Sequence, residues 1–289
     1  MLTVRWAESG ERARIQRYLF DNMGKVPLER WGNILDCRWI QEDDRYGAVV
    51  MDGEDLCGFL GIVFADRPLA GAMHRTGNIT SWYLEKDRRR SGLGQEMLGL
   101  VTSLPGVTYV ATSPNPRSGG LLAKVGWEVF DERRLVWRRS EARGAAPPES
   151  EVRRIASPQD VGELDRDSRR VLADHAGLNI DPYVLRGPDG DGCLVVTYVK
   201  LKGADVAHHE ILHVSDRPVF TTLVRGFANA VLAPENAVLS LDSRFVTDDA
   251  RPDEIVRLDI PRSFKPCGTQ AHDIDFLYSE VVLLDLKIQ

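Results

Sequence analysis

Along residues 1–138, apolar and polar positions alternate at strand spacing and then recur at helix spacing several times over. Residues 2–7 (LTVRWA) have the period of a strand, and residues 10–23 (GERARIQRYLFDNM) that of an amphipathic helix. Pro27 opens a second helical pattern over residues 27–40. Further along, the pattern predicts strands over 45–53, 57–65 and 76–86, a helix over 92–103, a strand over 107–113, a helix over 116–126 and a strand over 127–137.

Residues 152–289 repeat this order with a weaker pattern. A strand over 152–157 precedes a helix for which Ser157 is the predicted N-cap, with Pro158 in the first turn and Asp160 three residues after the cap. A turn is predicted at residues 187–192 (GPDGDG). Strands are then expected over 193–203 and 206–216, a helix over 221–233, and strands over 237–246 and 276–288.

Between the two halves, the apolar pattern stops at residues 139–151, where Pro147 and Pro148 can continue neither a helix nor a central strand. We therefore expect an α/β protein with mixed sheets, built from two tandem domains over residues 1–138 and 152–289 with a linker over 139–151. A chain of 289 residues is long enough for two such domains. One large α/β domain is the alternative.

The composition favours an ordinary globular protein, with 43% hydrophobic and 28% charged residues. A net charge of −6 argues against nucleic acid and anionic membranes as general partners. The longest apolar runs are too short to span a bilayer, and the first fifteen residues contain no apolar signal segment. The four cysteines form no C-x-x-C pair, which predicts reduced thiols and a cytoplasmic location.

The stretch at residues 89–94 (RRSGLG) lies between a predicted strand and a predicted helix. The N–H groups of a first helical turn point towards an anion, and glycine lets the backbone come close to it. Arginine adds a permanently charged donor. The stretch is therefore a candidate site for a phosphorylated ligand, although an ordinary strand-to-helix turn has the same composition. It matches neither the P-loop nor the G-x-G-x-x-G pattern.

With Arg89, Gly92 and Gly94 in register, this stretch resembles the R/Q-x-x-G-x-G/A signature of the GCN5-related N-acetyltransferases. Asn115 and Gly126 also occur where that family has an asparagine and a glycine, followed by an aromatic residue, here Trp127. The resemblance covers residues 3–138. It implies that the loop amides hold the pyrophosphate of acetyl-CoA, the acyl donor, and that no metal is required.

The resemblance also implies where the rest of acetyl-CoA lies. Pantetheine would run along residues 82–84, and a gap between the fourth and fifth strands would offer a backbone N–H near Leu84 to the carbonyl oxygen. The residues so assigned to the cofactor are Trp82, Tyr83, Leu84, Arg89, Arg90, Ser91, Gly92, Leu93, Gly94, Gln95 and Asn115.

Two positions depart from the family. Asn78 stands where many relatives have a glutamate as base, and Leu122 where many have a tyrosine as acid. An amine must lose a proton as it attacks a thioester, so another group or water has to accept that proton. His74, Glu85 and Ser113 are candidates, and no catalytic residue is assigned. A catalytically silent CoA-binding or scaffolding protein is the alternative function.

Trp31 and Trp39 are eight residues apart and would share one face of the predicted helix over 27–40. Such a face is usually core. In the family the first two helices border the acceptor, so tryptophan beside Asp36 or Arg38 would suit a sugar or another flat polar substrate.

A competing motif lies at residues 209–213, where His209, Glu210 and His213 match the H-E-x-x-H pattern of zinc proteases. The motif requires a helix, whereas the surrounding residues 206–216 have a strand pattern. On a strand the two histidines would be about 13 Å apart, too far for one metal ion. We therefore expect no metal site here.

At the corresponding place in the second half, residues 215–220 (SDRPVF) have no glycine, Pro218 lacks an N–H, and Asp216 would repel phosphate. The second domain is thus predicted to be a degenerate copy that binds no cofactor and that shapes the acceptor pocket or a homodimer. The sequence as a whole predicts an N-acyltransferase that acetylates an amine on a small molecule. An amino sugar is one acceptor that the resemblance implies.

Overall fold

The computed structural model describes residues 1–69, 71–140, 151–157, 161–162, 164–187, 190 and 192–288. It divides into two compact units. Unit 1 comprises Met1–Glu128, Arg262–Gln270 and Tyr278–Leu286, and unit 2 comprises Val129–Pro261, Ala271–Leu277 and Lys287–Gln289. Each unit is therefore assembled from separate segments of the sequence.

Mixed sheets and flanking helices make up both units. The strands in the described residues are β1 (Leu2–Trp6), β2 (Gly47–Asp52), β3 (Asp55–Leu69), β4 (Ala72–Leu84), β5 (Val107–Ala111), β6 (Glu128–Trp137), β7 (Glu151–Arg154), β8 (Asp181–Arg186), β9 (Gly192–Lys202), β10 (Val206–Val214), β11 (Ala237–Asp242) and β12 (Glu254–Lys265). The helices are α1 (Arg12–Met23), α2 (Leu28–Trp31), α3 (Leu93–Val101), α4 (Pro116–Lys124), α5 (Arg166–Asp174), α6 (Arg217–Val231) and α7 (Glu280–Leu283). The mixed α/β fold predicted from the sequence is confirmed.

In unit 1, β1 to β4 form an antiparallel sheet in sequence order, and β5 joins it parallel to β4. Helix α3 makes the crossover between these parallel strands. Its apolar face buries Leu93, Met97, Leu98 and Val101 in the core, which supplies the burial that holds the helix against the sheet. Residues 263–265 at the end of β12 pair antiparallel with β5.

Unit 2 has the same order of elements. Strands β7 to β10 are antiparallel, and α6 connects β10 to the parallel strand β11. Strand β6 pairs antiparallel with β11. The strand that follows α4 in the sequence thus lies in unit 2, whereas the end of β12 lies in unit 1. The units differ in this way from the ranges 1–138 and 152–289, and the predicted domain boundaries stay a prediction.

The predicted strand over 276–288 is wrong. These residues contain the short helix α7, which Ser279 caps by accepting a hydrogen bond from the Val281 N–H. The sequence prediction also missed β8 and β12. The apolar run at the end of the sequence has no period that separates a buried helix from a strand, which is why the element type was misassigned.

The predicted helix over 27–40 also differs from the structure. The helix over 27–40 is limited to α2 and one 3-10 turn at Gly32–Ile34, and Cys37 takes a left-handed conformation with a φ of 51°. The start of the helix predicted after Ser157 falls on residues that the structure does not describe, and the helix described further along is α5, capped by Asp165. Pro158, Asp160 and most of the predicted linker, including Pro147 and Pro148, lie outside the described residues.

No helix among the described residues combines the length and the apolar character needed to cross a membrane.

Candidate active site

Strands β4 and β5 diverge in the middle of the unit 1 sheet. Their parallel pairing runs from Arg75↔Val107 to Asn78↔Val110 and stops there. Strand β4 continues to Leu84 and stays paired with β3 as far as Gly58↔Leu84. The register shifts opposite this region, and Ser81 has a φ of 51°. Residues 79–84 of β4 are consequently unpaired on the side of β5, which opens a gap in the sheet.

The turn that follows β4 ends at the first residue of α3. Gly92 is the N-cap of this helix, with a φ of 91°, a conformation that favours glycine. Arg90 is also left-handed, with a φ of 69°. Gly92 has no side chain, so no side-chain oxygen caps the first-turn N–H groups of α3. These donors, together with the positive end of the helix dipole, can bind an anion.

Arg89 attaches this turn to the end of β4. Its Nε donates to the Leu84 carbonyl oxygen at 2.8 Å, and its guanidinium lies 5.6 Å from the centre of the Tyr83 ring. Gly94 faces Trp82, since a Cβ at residue 94 would lie 3.6 Å from Trp82 Cζ2. The start of α3 is therefore held beside the end of β4 that leaves β5.

A cavity lies in unit 1 at this gap. It is lined by Met23, Lys25, Trp31, Leu60, Ile79, Thr80, Ser81, Trp82, Ala111, Ser113, Pro114, Asn115, Ser118, Leu122, Glu280, Leu284 and Leu286. Residues 79–82 come from β4, Ala111 ends β5, and Ser113, Pro114 and Asn115 lie between β5 and α4. The lining is mainly apolar, with a few hydroxyl, amide and charged groups, as in many small-molecule sites.

Two of the predicted cofactor residues line this cavity, and the others lie outside its lining. Trp82 and Asn115 line it. Asn115 is also the N-cap of α4, because its Oδ1 accepts from the N–H groups of Arg117 and Ser118. Tyr83 points elsewhere and packs edge-on against Tyr18, with the ring centres 5.8 Å apart.

The remaining predicted cofactor residues lie in and around the turn. Leu84 and Leu93 are buried, Gly94 is half-buried, and Arg90, Ser91, Gly92 and Gln95 are exposed at the start of α3.

Glu280, on α7, is a site residue that sequence reasoning missed. Its side chain is in the interior of unit 1, with only 1% of the residue exposed, and it lines the cavity. Its carboxylate accepts hydrogen bonds from the Asn78 amide and the Ser113 hydroxyl. Thr112 Oγ1 lies 3.0 Å from Asn78 Oδ1 and 3.1 Å from Glu280 Oε1. The C-terminal segment of unit 1 thus places a carboxylate next to Asn78.

The surroundings of Glu280 favour its protonated form. Burial raises the pKa of this carboxyl, and hydrogen bonds from Ser113, Asn78 and Thr112 oppose that rise only in part. No ion pair to Glu280 occurs in the part of the chain that the structure describes. The available sequence signal was a glutamate flanked by apolar residues in the run at 276–286 (FLYSEVVLLDL), because a charged side chain buried within such a run usually has a functional or pairing role.

Of the three side chains considered as bases, only Ser113 lines the cavity. His74 lies where β3 and β4 form a hairpin, opposite Arg67. Glu85 follows β4 and lies in a separate surface cleft with Arg14, Arg17 and Tyr18. Leu122 is fully buried at the cavity wall, so no acid is present at that position.

The two tryptophans singled out in the sequence separate in the structure. Trp31 lines the cavity, is 2% exposed, and its buried Nε1–H has no hydrogen-bond partner in the described residues. Trp39 packs edge-on against Tyr278, with the ring centres 5.2 Å apart. The prediction that both share one helix face is wrong, because the helix ends before Cys37.

In unit 2, the predicted strand at the H-E-x-x-H match is confirmed as β10. The carboxylate of Glu210 is fully buried and is bound by Arg134 and Lys202. His213 Nδ1 lies 2.7 Å from Asp275 Oδ2. The helix that a zinc protease motif requires is not formed at these residues. Across the described ranges, no group of three or more His, Cys, Asp or Glu side chains is placed to hold a metal ion.

The start of α6 in unit 2 differs from the start of α3. Asp216 is its N-cap, and the Asp216 carboxylate accepts from the Val219 N–H at 2.9 Å. Arg217 donates to the Val246 carbonyl oxygen at 2.7 Å. A carboxylate of the chain itself thus occupies the place that an anion would take at this helix.

Comparisons with solved structures identify the fold. A GCN5-related N-acetyltransferase from Anabaena variabilis aligns with 92% of this chain and 72% of its own, with a TM-score of 0.60 and 11% identity. A GCN5-related N-acetyltransferase from Kribbella flavida has the same coverage of both chains and the same identity, with a TM-score of 0.59. The chain has the GCN5-related N-acetyltransferase fold.

A third similar structure is the GCN5-related glucosamine N-acetyltransferase region of a fungal multi-domain β-N-acetylglucosaminidase. It aligns with 92% of this chain and 38% of its own, with a TM-score of 0.52 and 11% identity. No family model and no curated protein matches the sequence.

Proposed function

We propose that this protein is an N-acyltransferase that moves an acetyl group from acetyl-CoA to an amine of a small molecule. The observation that carries the proposal is the position of the uncapped start of α3, with Gly92 left-handed, beside the gap between β4 and β5. Acetyl-CoA needs two features of this kind. An anion-binding helix start can hold its phosphates, and an open strand edge can pair with its pantetheine arm.

In this proposal the N–H groups of residues 92–95 hold the pyrophosphate, and Arg89 and Arg90 add positive charge. The arm lies along Trp82 towards the cavity, and the unpaired edge of β4 supplies an N–H for the thioester oxygen. Preorganised donors at that oxygen stabilise the charge that develops as the amine attacks.

The acceptor would occupy the cavity from the side of Trp31. An indole face beside apolar side chains, together with an unpaired Nε1–H and the exposed Lys25, suits a polar molecule with one flat or apolar side. An amino sugar has this character, and the fungal neighbour is named as a glucosamine N-acetyltransferase. We therefore propose an amino sugar as the first acceptor to test.

A catalytically silent CoA-binding protein was the alternative because Asn78 and Leu122 cannot exchange a proton. The Glu280 carboxylate at the same cavity can accept a proton, so the absence of a base at Asn78 no longer favours a silent protein. The absence of an acid at Leu122 is unchanged. Release of CoA thiol in the presence of glucosamine separates the alternatives, since a silent protein binds acetyl-CoA without turnover.

Titration calorimetry with acetyl-CoA tests the cofactor site through the Gly92→Asp variant. The substitution places a side chain and a negative charge where the pyrophosphate would lie, so we expect no measurable binding. The matched control is Gly106→Asp, because Gly106 is also an exposed left-handed glycine with open space around it, with a φ of 73°, in the turn between α3 and β5. Unchanged affinity in a folded Gly92→Asp variant would contradict the site assignment.

A further inference from the structure

We infer that Glu280 is the proton acceptor of the reaction and that it works from α7 in place of a side chain on β4. The inference rests on the proposed function. Its basis is geometric: the Glu280 carboxylate lines the cavity, hydrogen bonds to Asn78, and lies where the pairing of β4 with β5 ends.

The contacts around Glu280 hold it in place without neutralising it. Asn78 donates to one carboxylate oxygen and Ser113 to the other, while the Thr112 hydroxyl lies near both. These partners are neutral, and no ion pair fixes the carboxylate among the described residues. Neutral donors lower the pKa of a carboxylate, as a nearby positive charge also does, but at Glu280 they offset the effect of burial only in part.

Charged groups near this carboxylate are few. From β12, Arg262 donates to the Thr112 carbonyl oxygen, so its charge is directed at the β5 backbone. Lys25, before α2, is at the exposed edge of the cavity. Burial raises the pKa of Glu280, which is the direction that makes a carboxylate a stronger base. Asn78, Thr112 and Ser113 face it from β4 and from the end of β5.

The acceptor enters as an ammonium ion, and the Glu280 carboxylate takes one of its protons. The neutral nitrogen attacks the thioester carbon, so that a C–N bond forms and the C–S bond breaks. The sulfur leaves with the electron pair and receives the second proton from nitrogen. Glu280 then returns its proton to water, leaving the amide, CoA thiol and one released proton.

The first test is acetyl transfer from acetyl-CoA to glucosamine by the full chain, followed by thiol release between pH 5 and pH 10. In Glu280→Gln we expect kcat to fall at least about 100-fold, with acetyl-CoA affinity within about twofold of the wild type. In the wild type, kcat should fall at low pH as Glu280 becomes protonated, and in Glu280→Gln we expect this fall to disappear. The control is Glu54→Gln, an exposed glutamate of unit 1 that does not line the cavity and that should leave all three quantities unchanged.

An exchange of the two groups separates catalysis from folding. In the double variant Asn78→Asp, Glu280→Gln, the carboxylate is at residue 78 and the amide at residue 280. The two groups can still form one hydrogen bond, with donor and acceptor exchanged. This double variant should recover part of the lost kcat. Asn78→Asp alone puts two carboxylates together, so one apparent pKa should rise and the acidic limb should move to higher pH.

A readout independent of turnover is the carboxyl stretch of Glu280 in isotope-edited infrared spectra, with Glu280→Gln as the blank. Its titration should occur above the ordinary glutamate range and shift upward again in Asn78→Asp. Glu280→Gln with kcat within threefold of the wild type, or a Glu280 that titrates in the ordinary range, would overturn the inference alone. Failure of the wild type to bind acetyl-CoA would overturn the proposed function as well.

Discussion

At the scale of single residues, Glu280 combines complete burial with a neutral set of hydrogen-bond partners. Moving a carboxylate out of water is costly, and three neutral donors recover only part of that free energy. The same arrangement that makes the group a suitable base should therefore weaken the fold whenever Glu280 is ionised. This conflict between stability and activity is expected at functional sites.

The cost should be visible as a pH dependence. Because the folded-state pKa of Glu280 is raised, its contribution to stability is fully present below the ordinary glutamate pKa and is lost as the pH rises through the folded-state pKa. Glu280→Gln cannot ionise. The Tm difference between this variant and the wild type should grow in favour of the variant from pH 4 to pH 8, as measured by calorimetry. A difference that stays constant with pH would contradict this prediction.

At the scale of elements, α3 and α6 occupy equivalent places in their units and begin in opposite ways. One begins at a bare glycine and leaves its first N–H groups available, whereas the other is capped by a carboxylate. A glycine at the N-cap forgoes only about a few tenths of a kcal/mol relative to Ser, Thr, Asn or Asp, and it leaves the first-turn N–H groups available to an anion. In α6 the Asp216 carboxylate already accepts a hydrogen bond from the first turn.

We therefore expect Asp216→Ala to lower the free energy of unfolding by about 1 kcal/mol, with a range of about 0.5–2 kcal/mol for such caps. Urea denaturation of the full chain measures this change. Asp248→Ala removes an exposed aspartate of unit 2 that caps no helix, and it should change the stability by less than about 0.5 kcal/mol. Equal effects of the two substitutions would show that the cap is unimportant.

Elements with a clear local signal were predictable from the sequence. Helix α3 has a regular apolar face and a glycine at its start, and β1 to β5 have strand periods. The missed strand β12 contains Pro261 and several charges, features that usually argue against a central strand. Helix α7 was mistaken for a strand because its apolar run has no distinguishing period, and that error concealed Glu280.

At the scale of the whole molecule, the candidate site draws on distant parts of the sequence. The turn before α3, the gap between β4 and β5 and the Asn115 cap of α4 are all formed by residues 78–118, where a sequence motif can find them. Glu280 is 202 residues from Asn78, and no local pattern connects the two. Only the pairing of β12 with β5 and the position of α7 bring the carboxylate to the cavity.

The two units predict one acetyl-CoA per chain. Unit 1 has the uncapped helix start, and in unit 2 the Asp216 carboxylate takes the corresponding place. Titration calorimetry on the full chain should give a stoichiometry of one, and Gly92→Asp should reduce it to zero. A stoichiometry of two, with one event surviving in Gly92→Asp, would show that residues 215–220 bind phosphate after all.

The late position of Glu280 in the sequence has a consequence for synthesis. Translation adds about 5–20 residues per second, so Glu280 is made about 10–40 seconds after Asn78. During that interval the nascent chain already contains the turn before α3, but β5 lacks the partner that β12 provides. If Glu280 is the proton acceptor that we infer, deprotonation of an amine must wait until the last elements of unit 1 have been synthesised and packed.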